Sequence, residues 1–250
     1  MRNSLRMFFV LALGMLIGSA QATLITSFEG GSTLASNGLT LAQGIASRAT
    51  IQSTVTSVPV TLIPTDDTHL FKLMGGMETG IINPALPNDL YTLVTFDDPV
   101  VIDKSYLLID FAFMNRDSSP YNDRQRIGLN GLLYDVTGSA ETGWHSPFTL
   151  GWQTLAIQFS HPGSVSLALG CVNDTDNAAT SYCVWDNFRT ADFIPTLAQN
   201  NGVPIFSSPN IPNINLTPPV SAVPEPGTWS MVLLGLFLTG LMGKARNQHA

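Results

Sequence analysis

Charge is scarce in this 250-residue chain: only 12% of its residues are Asp, Glu, Lys or Arg, about half the share usual for a soluble domain. With 44% hydrophobic residues besides, the chain is neither disordered nor a coiled coil. The positive sign is scarcer than the negative, 11 Lys and Arg against 18 Asp and Glu. Nucleic acid is therefore a poor partner. The four histidines are scattered, and the chain has no His-Glu-x-x-His, no Gly-x-Ser-x-Gly and no phosphate-cradling glycine loop. Catalysis has no recognisable constellation. The carboxylate pairs Asp66-Asp67 and Asp97-Asp98 do not supply one, because neighbours on a strand point to opposite faces and glycoside hydrolysis needs two carboxyls across one cleft.

Long apolar runs are confined to the two ends. Arg2 and Arg6 precede the uncharged run Met7 to Ile17 and then Gly18-Ser19-Ala20-Gln21-Ala22. Residues 1–22 thus read as a secretory signal peptide cut after Ala22 at an Ala-x-Ala site formed with Ala20. At the other end, residues 224–250 open with Pro224-Glu225-Pro226 and run without charge to Gly243, followed by Lys244 and Arg246. A helix over about 229–243, extended by its uncharged flanks, would just reach across a bilayer core of about 30 Å. Basic residues after the span stop transfer, so the bulk of an exported chain would lie outside.

Motif, Leu/Gly-rich span and basic end, in that order, resemble the PEP-CTERM sorting signal of Gram-negative bacteria. The resemblance implies processing by an exosortase partner, transient residence in the inner membrane, and delivery to the cell surface or a matrix of exopolysaccharide.

Between the ends, residues 23–223 hold 7 basic and 17 acidic residues. From Pro195 to Pro219 the chain is punctuated by prolines, Asn and Ser, so residues 195–223 read as an extended stalk and residues 23–194 as the globular domain. Strand patterns dominate that domain. Leu107, Ile109, Phe111 and Phe113 alternate with other residues, as do Val165, Leu167, Leu169 and Cys171, and Leu155, Ile157 and Phe159. Such runs suit half-buried antiparallel strands. Asn130-Gly131 suits a two-residue hairpin turn between 125–129 and 132–136. The expected fold is all-β, a jelly-roll-like antiparallel sandwich.

An opening Thr26-Ser27-Phe28-Glu29-Gly30, a loop from Asp117 to Asp123 containing Pro120, and a closing Ser181 to Phe188 resemble the galactose-binding-like jelly rolls carried by many PEP-CTERM proteins. More distantly they are similar to carbohydrate-binding sandwiches. The resemblance implies a structural Ca²⁺ shared by Glu29 and Asp186, with the oxygen-rich coordination calcium prefers. Read from the residues alone, Asp186 faces either solvent or backbone donors instead.

Three further sets of candidates stand out. Asp174 and Asp176 lie in Asn173 to Asn177, which has the alternating oxygens of a calcium loop but neither its glycine nor its distal Glu. Asp117, Asn122 and Asp123 cluster in another loop. Both loops are ligand candidates, and Trp144 is the aromatic placed to stack on a sugar, ahead of Tyr121, His145, Trp152 and Trp185. Cys171 and Cys183 are the only cysteines; outside the cytoplasm they would close the intervening loop as a disulfide, the alternative being two buried thiols. The expected function is a non-enzymatic surface protein, structural or adhesive in extracellular polysaccharide. The alternative is a calcium-assisted carbohydrate-binding module; a secreted hydrolase ranks last.

Overall fold

A computed structural model of the chain describes residues 23–44, 46–57, 60–75, 89–116, 122–142, 148–174 and 181–216. Ala20, Ala22, Asp117, Trp144, Asp176 and the whole tail, with Pro224, Glu225, Pro226, Lys244 and Arg246, lie outside the described residues.

The strands are β1 Thr23–Thr26, β2 Leu39–Gln43, β3 Ala49–Gln52, β4 Val55–Ser57, β5 Val60–Leu62, β6 Leu70–Met74, β7 Asp89–Phe96 and β8 Val100–Ile102. They continue as β9 Tyr106–Asn115, β10 Arg124–Leu129, β11 Leu132–Gly138, then a one-turn helix α1 Ser139–Thr142, then β12 Phe148–Gln158, β13 Gly163–Val165, β14 Leu167–Asp174, β15 Tyr182–Ala191 and β16 Ile205–Phe206. Two sheets face each other. The larger has seven strands in the order β16-β12-β9-β15-β6-β3, with β1 also on β15; the smaller has five in the order β11-β10-β14-β7-β2. Among the described residues, the strand pairings are antiparallel except β12 with β16, alongside which the isolated bridge Phe159–Ile214 is also parallel. The fold is the all-β, jelly-roll-type sandwich expected.

Alternation explains the layering. Leu107, Ile109, Phe111 and Phe113 of β9, Leu167, Leu169 and Cys171 of β14, and Leu155 and Ile157 of β12 all enter one core between the sheets. Burying each large apolar side chain stabilises the fold by about 1.5–3 kcal/mol. Asn130 and Gly131 make the hairpin between β10 and β11 with φ of 51° and 82°, the left-handed pair that a type I′ turn requires.

The central strands depart from the half-buried expectation. From Leu107 to Asn115, β9 is buried on both faces. A second apolar layer, Val55, Leu62, Leu70, Ala112, Met114 and Val184, covers the outer face of the larger sheet. The paired strands β4 and β5 supply its lid.

The stalk needs a larger correction, because residues 195–216 belong to the domain. β16 adds to the edge of β12, Ile214 bridges Phe159, and Ile214 and Leu216 are buried. Phe206 packs on Phe111 with ring centroids 5.5 Å apart. Ser208 donates a hydrogen bond to the Asp135 carbonyl of β11, so this segment ties the far edges of both sheets together. The stretch is not an extended stalk: it turns at 197–202 and 209–211, and Ile205, Phe206, Ile211, Ile214 and Leu216 make it a sheet-edge strap. The domain therefore runs to about residue 216.

Cys171 and Cys183 are disulfide-bonded, and both are fully buried. Because β14 and β15 lie in different sheets, the bond closes its loop and also joins the two layers through the core.

Candidate functional site

Glu29 and Asp186 were expected to share a cation; instead they grip one loop, residues 63–69, at separate points. Phe28 adopts φ 63°, an uncommon conformation for a bulky residue. This turns its ring into the core against Phe71 and Phe188 and leaves Glu29 beside the loop. Glu29 accepts from the Thr68 and His69 backbone N–H groups at 2.8 and 2.7 Å and from the Thr68 hydroxyl at 2.7 Å, with His69 Nδ1 at 2.9 Å. Burial opposes its charge, but the hydrogen bonds from His69 and Thr68 outweigh burial and hold the carboxyl at about 2. Asp186 is fully buried and accepts from the Thr65 N–H and hydroxyl at 2.7 and 3.0 Å and from the Asn187 N–H at 2.9 Å. Such donors present hydrogens, so these residues do not fit a shared Ca²⁺. Among the described residues, no group of three or more His, Cys, Asp or Glu is placed to hold a metal ion.

Within the same loop, Asp66 lies beside Asp186. Burial, then the neighbouring Asp67, pushes Asp66 up to about 6; burial, with Asp66 beside it, pushes Asp186 up to about 7. Two adjacent acids with raised values suit acid–base chemistry, but Asp186 is sealed from solvent and its oxygens are already engaged. The pair is a clasp. Its sign follows from linkage: between the unfolded carboxyl range near 4 and about 7, the folded state binds more protons than the unfolded one, so stability is full below that window and is lost as pH rises through it. Glu29 acts oppositely, losing its contribution as pH falls from its usual 4.5 towards 2. Melting temperature should therefore peak in mild acid and fall as pH rises from about 4 to about 7. Asp66→Asn, a permanent donor to Asp186, should flatten that fall; thermal melts of both proteins across the range check this, and an unchanged slope would exonerate the pair.

Two residues on the outer face of the larger sheet were missed in the sequence. Asp110 lies opposite Asp186 in the β9–β15 register; it accepts from Arg189 at 3.1 Å, Asn187 at 2.9 Å and Thr154. Arg189 in turn binds Asn200 of the strap. A carboxylate amid the apolar run of β9 was the available signal.

The remaining candidates divide. Asp123 is fully buried, and accepts from the Ser181 N–H at 3.2 Å through its carboxylate and from the Ser139 N–H at 2.8 Å through its carbonyl. Asn122 accepts from the Ala140 N–H at 2.9 Å. Both staple the end of the sandwich where β9, β10, β14 and β15 meet. Asp174 pairs with Asp89 at the same end. Trp185 is fully buried, and Trp152, half-buried, donates its indole N–H to the Ile63 carbonyl at 2.8 Å.

The opposite end carries a cleft of about 450 Å³, formed by β1, the 30–38 loop, the end of β7 and β8. Its walls are apolar at Ile25, Phe96, Pro99, Val100 and Val101, and polar at Thr26, Ser36, Asn37 and Asp98. Most of those polar side chains are committed locally. Thr26 accepts from the Phe28 N–H at 3.2 Å, Ser36 donates to the Thr33 carbonyl at 2.9 Å, and Asn37 ties Gly30, Gly31 and Thr33 together. Gly30 is obligatory here: a Cβ on it would stand 2.1 Å from the Ser36 carbonyl oxygen. Of the adjacent carboxylates, Asp97 accepts from the Thr40 hydroxyl at 2.6 Å, whereas Asp98 lines the cleft.

No family model matches the chain, and no curated protein matches it. Among solved structures, it is similar to the CBM22-1 xylan-binding domain of Paenibacillus barcinonensis Xyn10C at 17% identity, covering 68% of this chain and 93% of that one, with a TM-score of 0.34. It is also similar to TmCBM27, a carbohydrate-binding module that recognises mannan, at 14% identity, 68% and 97% coverage and a TM-score of 0.32. The family 11 carbohydrate-binding module of Clostridium thermocellum, solved with a β-1,3-1,4-mixed-linked tetrasaccharide, shares 12% identity over 72% of this chain and 100% of that one, with a TM-score of 0.34. Likenesses this distant assign no ligand to the chain.

Proposed function

We propose that this chain is an exported, surface-directed protein that works without catalysis, binding polysaccharide in the extracellular matrix through the cleft between β1, β7 and β8. The cleft carries the binding half of the reading. At about 450 Å³ it falls within the range of small-ligand sites, and its largely apolar walls with few polar groups are what such sites require. Calcium has no assigned part in it. The buried disulfide supports export, since such bonds persist in oxidising compartments. The signal segment and the PEP-CTERM-like tail supply the route, with an exosortase as processing partner and passage through the inner membrane of a Gram-negative cell. A structural or adhesive role follows from holding polysaccharide at the surface.

The binding test is retention of the mature chain from Thr23 on the host's own exopolysaccharide. Val101 lines the cleft and is 65% exposed, so Val101→Arg should block the cleft while leaving the melting temperature unchanged. Retention that survives the substitution would place binding elsewhere; no retention of the native chain would leave a purely structural surface protein. For the tail, the mass of surface protein from cells with and without exosortase should differ at the C-terminus. Equal masses would mean a plain anchor.

A further inference from the structure

Resting on that reading, we propose that the cleft selects a basic amino sugar, a pyranose carrying a free ammonium group, and disfavours acidic sugars. Among the described residues, Asp98 is the only charged one that lines the cleft, and neither Lys nor Arg joins it there. An acidic glycan would thus meet a carboxylate with no cation to offset it. The neighbouring polar walls cannot substitute: Asn37 and Ser36 are fixed by contacts within the 30–38 loop, and the Gly38 carbonyl accepts from the Asp97 N–H at 2.8 Å. Asp98 has no such internal partner among the described residues, so its oxygens are available to a ligand. Phe96, half-buried and braced by Phe188 at 5.5 Å, adds an apolar surface against which the carbon face of a ring can rest. Apolar wall and carboxylate together fit a pyranose with an ammonium substituent, since a charge-assisted hydrogen bond from ammonium to carboxylate is stronger than one from a neutral hydroxyl.

The test compares a glucosamine disaccharide, its N-acetylated form and a galacturonate disaccharide by calorimetric titration against the disulfide-intact mature chain. Short ligands avoid the general attraction between an acidic protein and a polycation. The free-amino disaccharide should bind about tenfold tighter than the N-acetylated one, and the uronate weakest. Asp98→Asn should erase the preference. Asp97→Asn removes the same charge one residue away, outside the cleft lining, and should preserve it. Equal affinities in the native chain, or a preference that survives Asp98→Asn, would overturn the proposal, as would a preference lost equally in Asp97→Asn. If none of the disaccharides binds but the host's polysaccharide retains the chain, the selectivity falls while the binding reading stands; if the polysaccharide also fails, both fall.

Discussion

Deleting residues 195–216 is expected to abolish cooperative folding of the domain. The segment buries Ile214 and Leu216 and packs Phe206 and Ile211 against the main core. At about 1.5–3 kcal/mol for each fully buried large apolar side chain, Ile214 and Leu216, with part of that from half-buried Phe206 and Ile211, amount to a large share of the about 5–15 kcal/mol of an ordinary domain. Polar losses add to this. Thr154 of β12 would lose the Pro204 carbonyl that accepts its N–H at 2.8 Å, and Arg189 would lose Asn200, leaving a half-satisfied charge network on the outer face of the larger sheet. Residues 23–194 should therefore aggregate or melt without a transition, whereas 23–216 should melt sharply; equal melting temperatures would refute the strap. Asn200→Ala tests the polar fastening alone and should cost less than the deletion.

Replacing both cysteines, as Cys171→Ala with Cys183→Ala, is expected to remove about 3 kcal/mol by the chain-entropy model of loop closure. For a domain of this size that is a drop of roughly 10 °C in melting temperature. Both sulfurs are fully buried, so mild reductant should leave the folded protein untouched and should act only on molecules that have opened. Reduction of the native protein at the same rate as of the urea-unfolded one would contradict that burial. Loss of the bond should also loosen the contact between the sheets, which hydrogen exchange in β14 and β15 would register.

Much of the architecture was legible because alternation is a local signal. Leu107 to Phe113 and Val165 to Cys171 revealed strands and their buried faces, and Asn130-Gly131 revealed a hairpin with its turn type. What covers the other face of β9 was not legible, since Val55 and Leu62 come from a distant pair of short strands. The strap was misread because proline content was weighed above the apolar residues between the prolines. Of the candidate sites, Cys171 and Cys183 were paired as compartment and loop position suggested. Glu29 and Asp186 were read as sharing a cation, but donors of the 63–69 loop, 39 to 121 positions away in the chain, decide what they hold. The cleft was invisible. Its walls come from β1, the 30–38 loop and the β7–β8 turn, and none of these carries a periodic or motif signature. Asp97-Asp98 was set aside as a catalytic pair, and only the fold separates the carboxylate that meets Thr40 from the one that meets the cleft.

β1 pairs with β15, Thr23 opposite Thr190, so the first strand of the domain waits for nearly the last. Contacts this distant in sequence make folding slow. For a chain that leaves the cell as an unfolded thread, as the proposed route requires, this delay is useful. The leading strand emerges with no partner to pair with, and neither the sheets nor their strap can close until the trailing residues follow. Topology alone would then keep the chain threadable during transit and confine its final folding to the compartment where its disulfide can form.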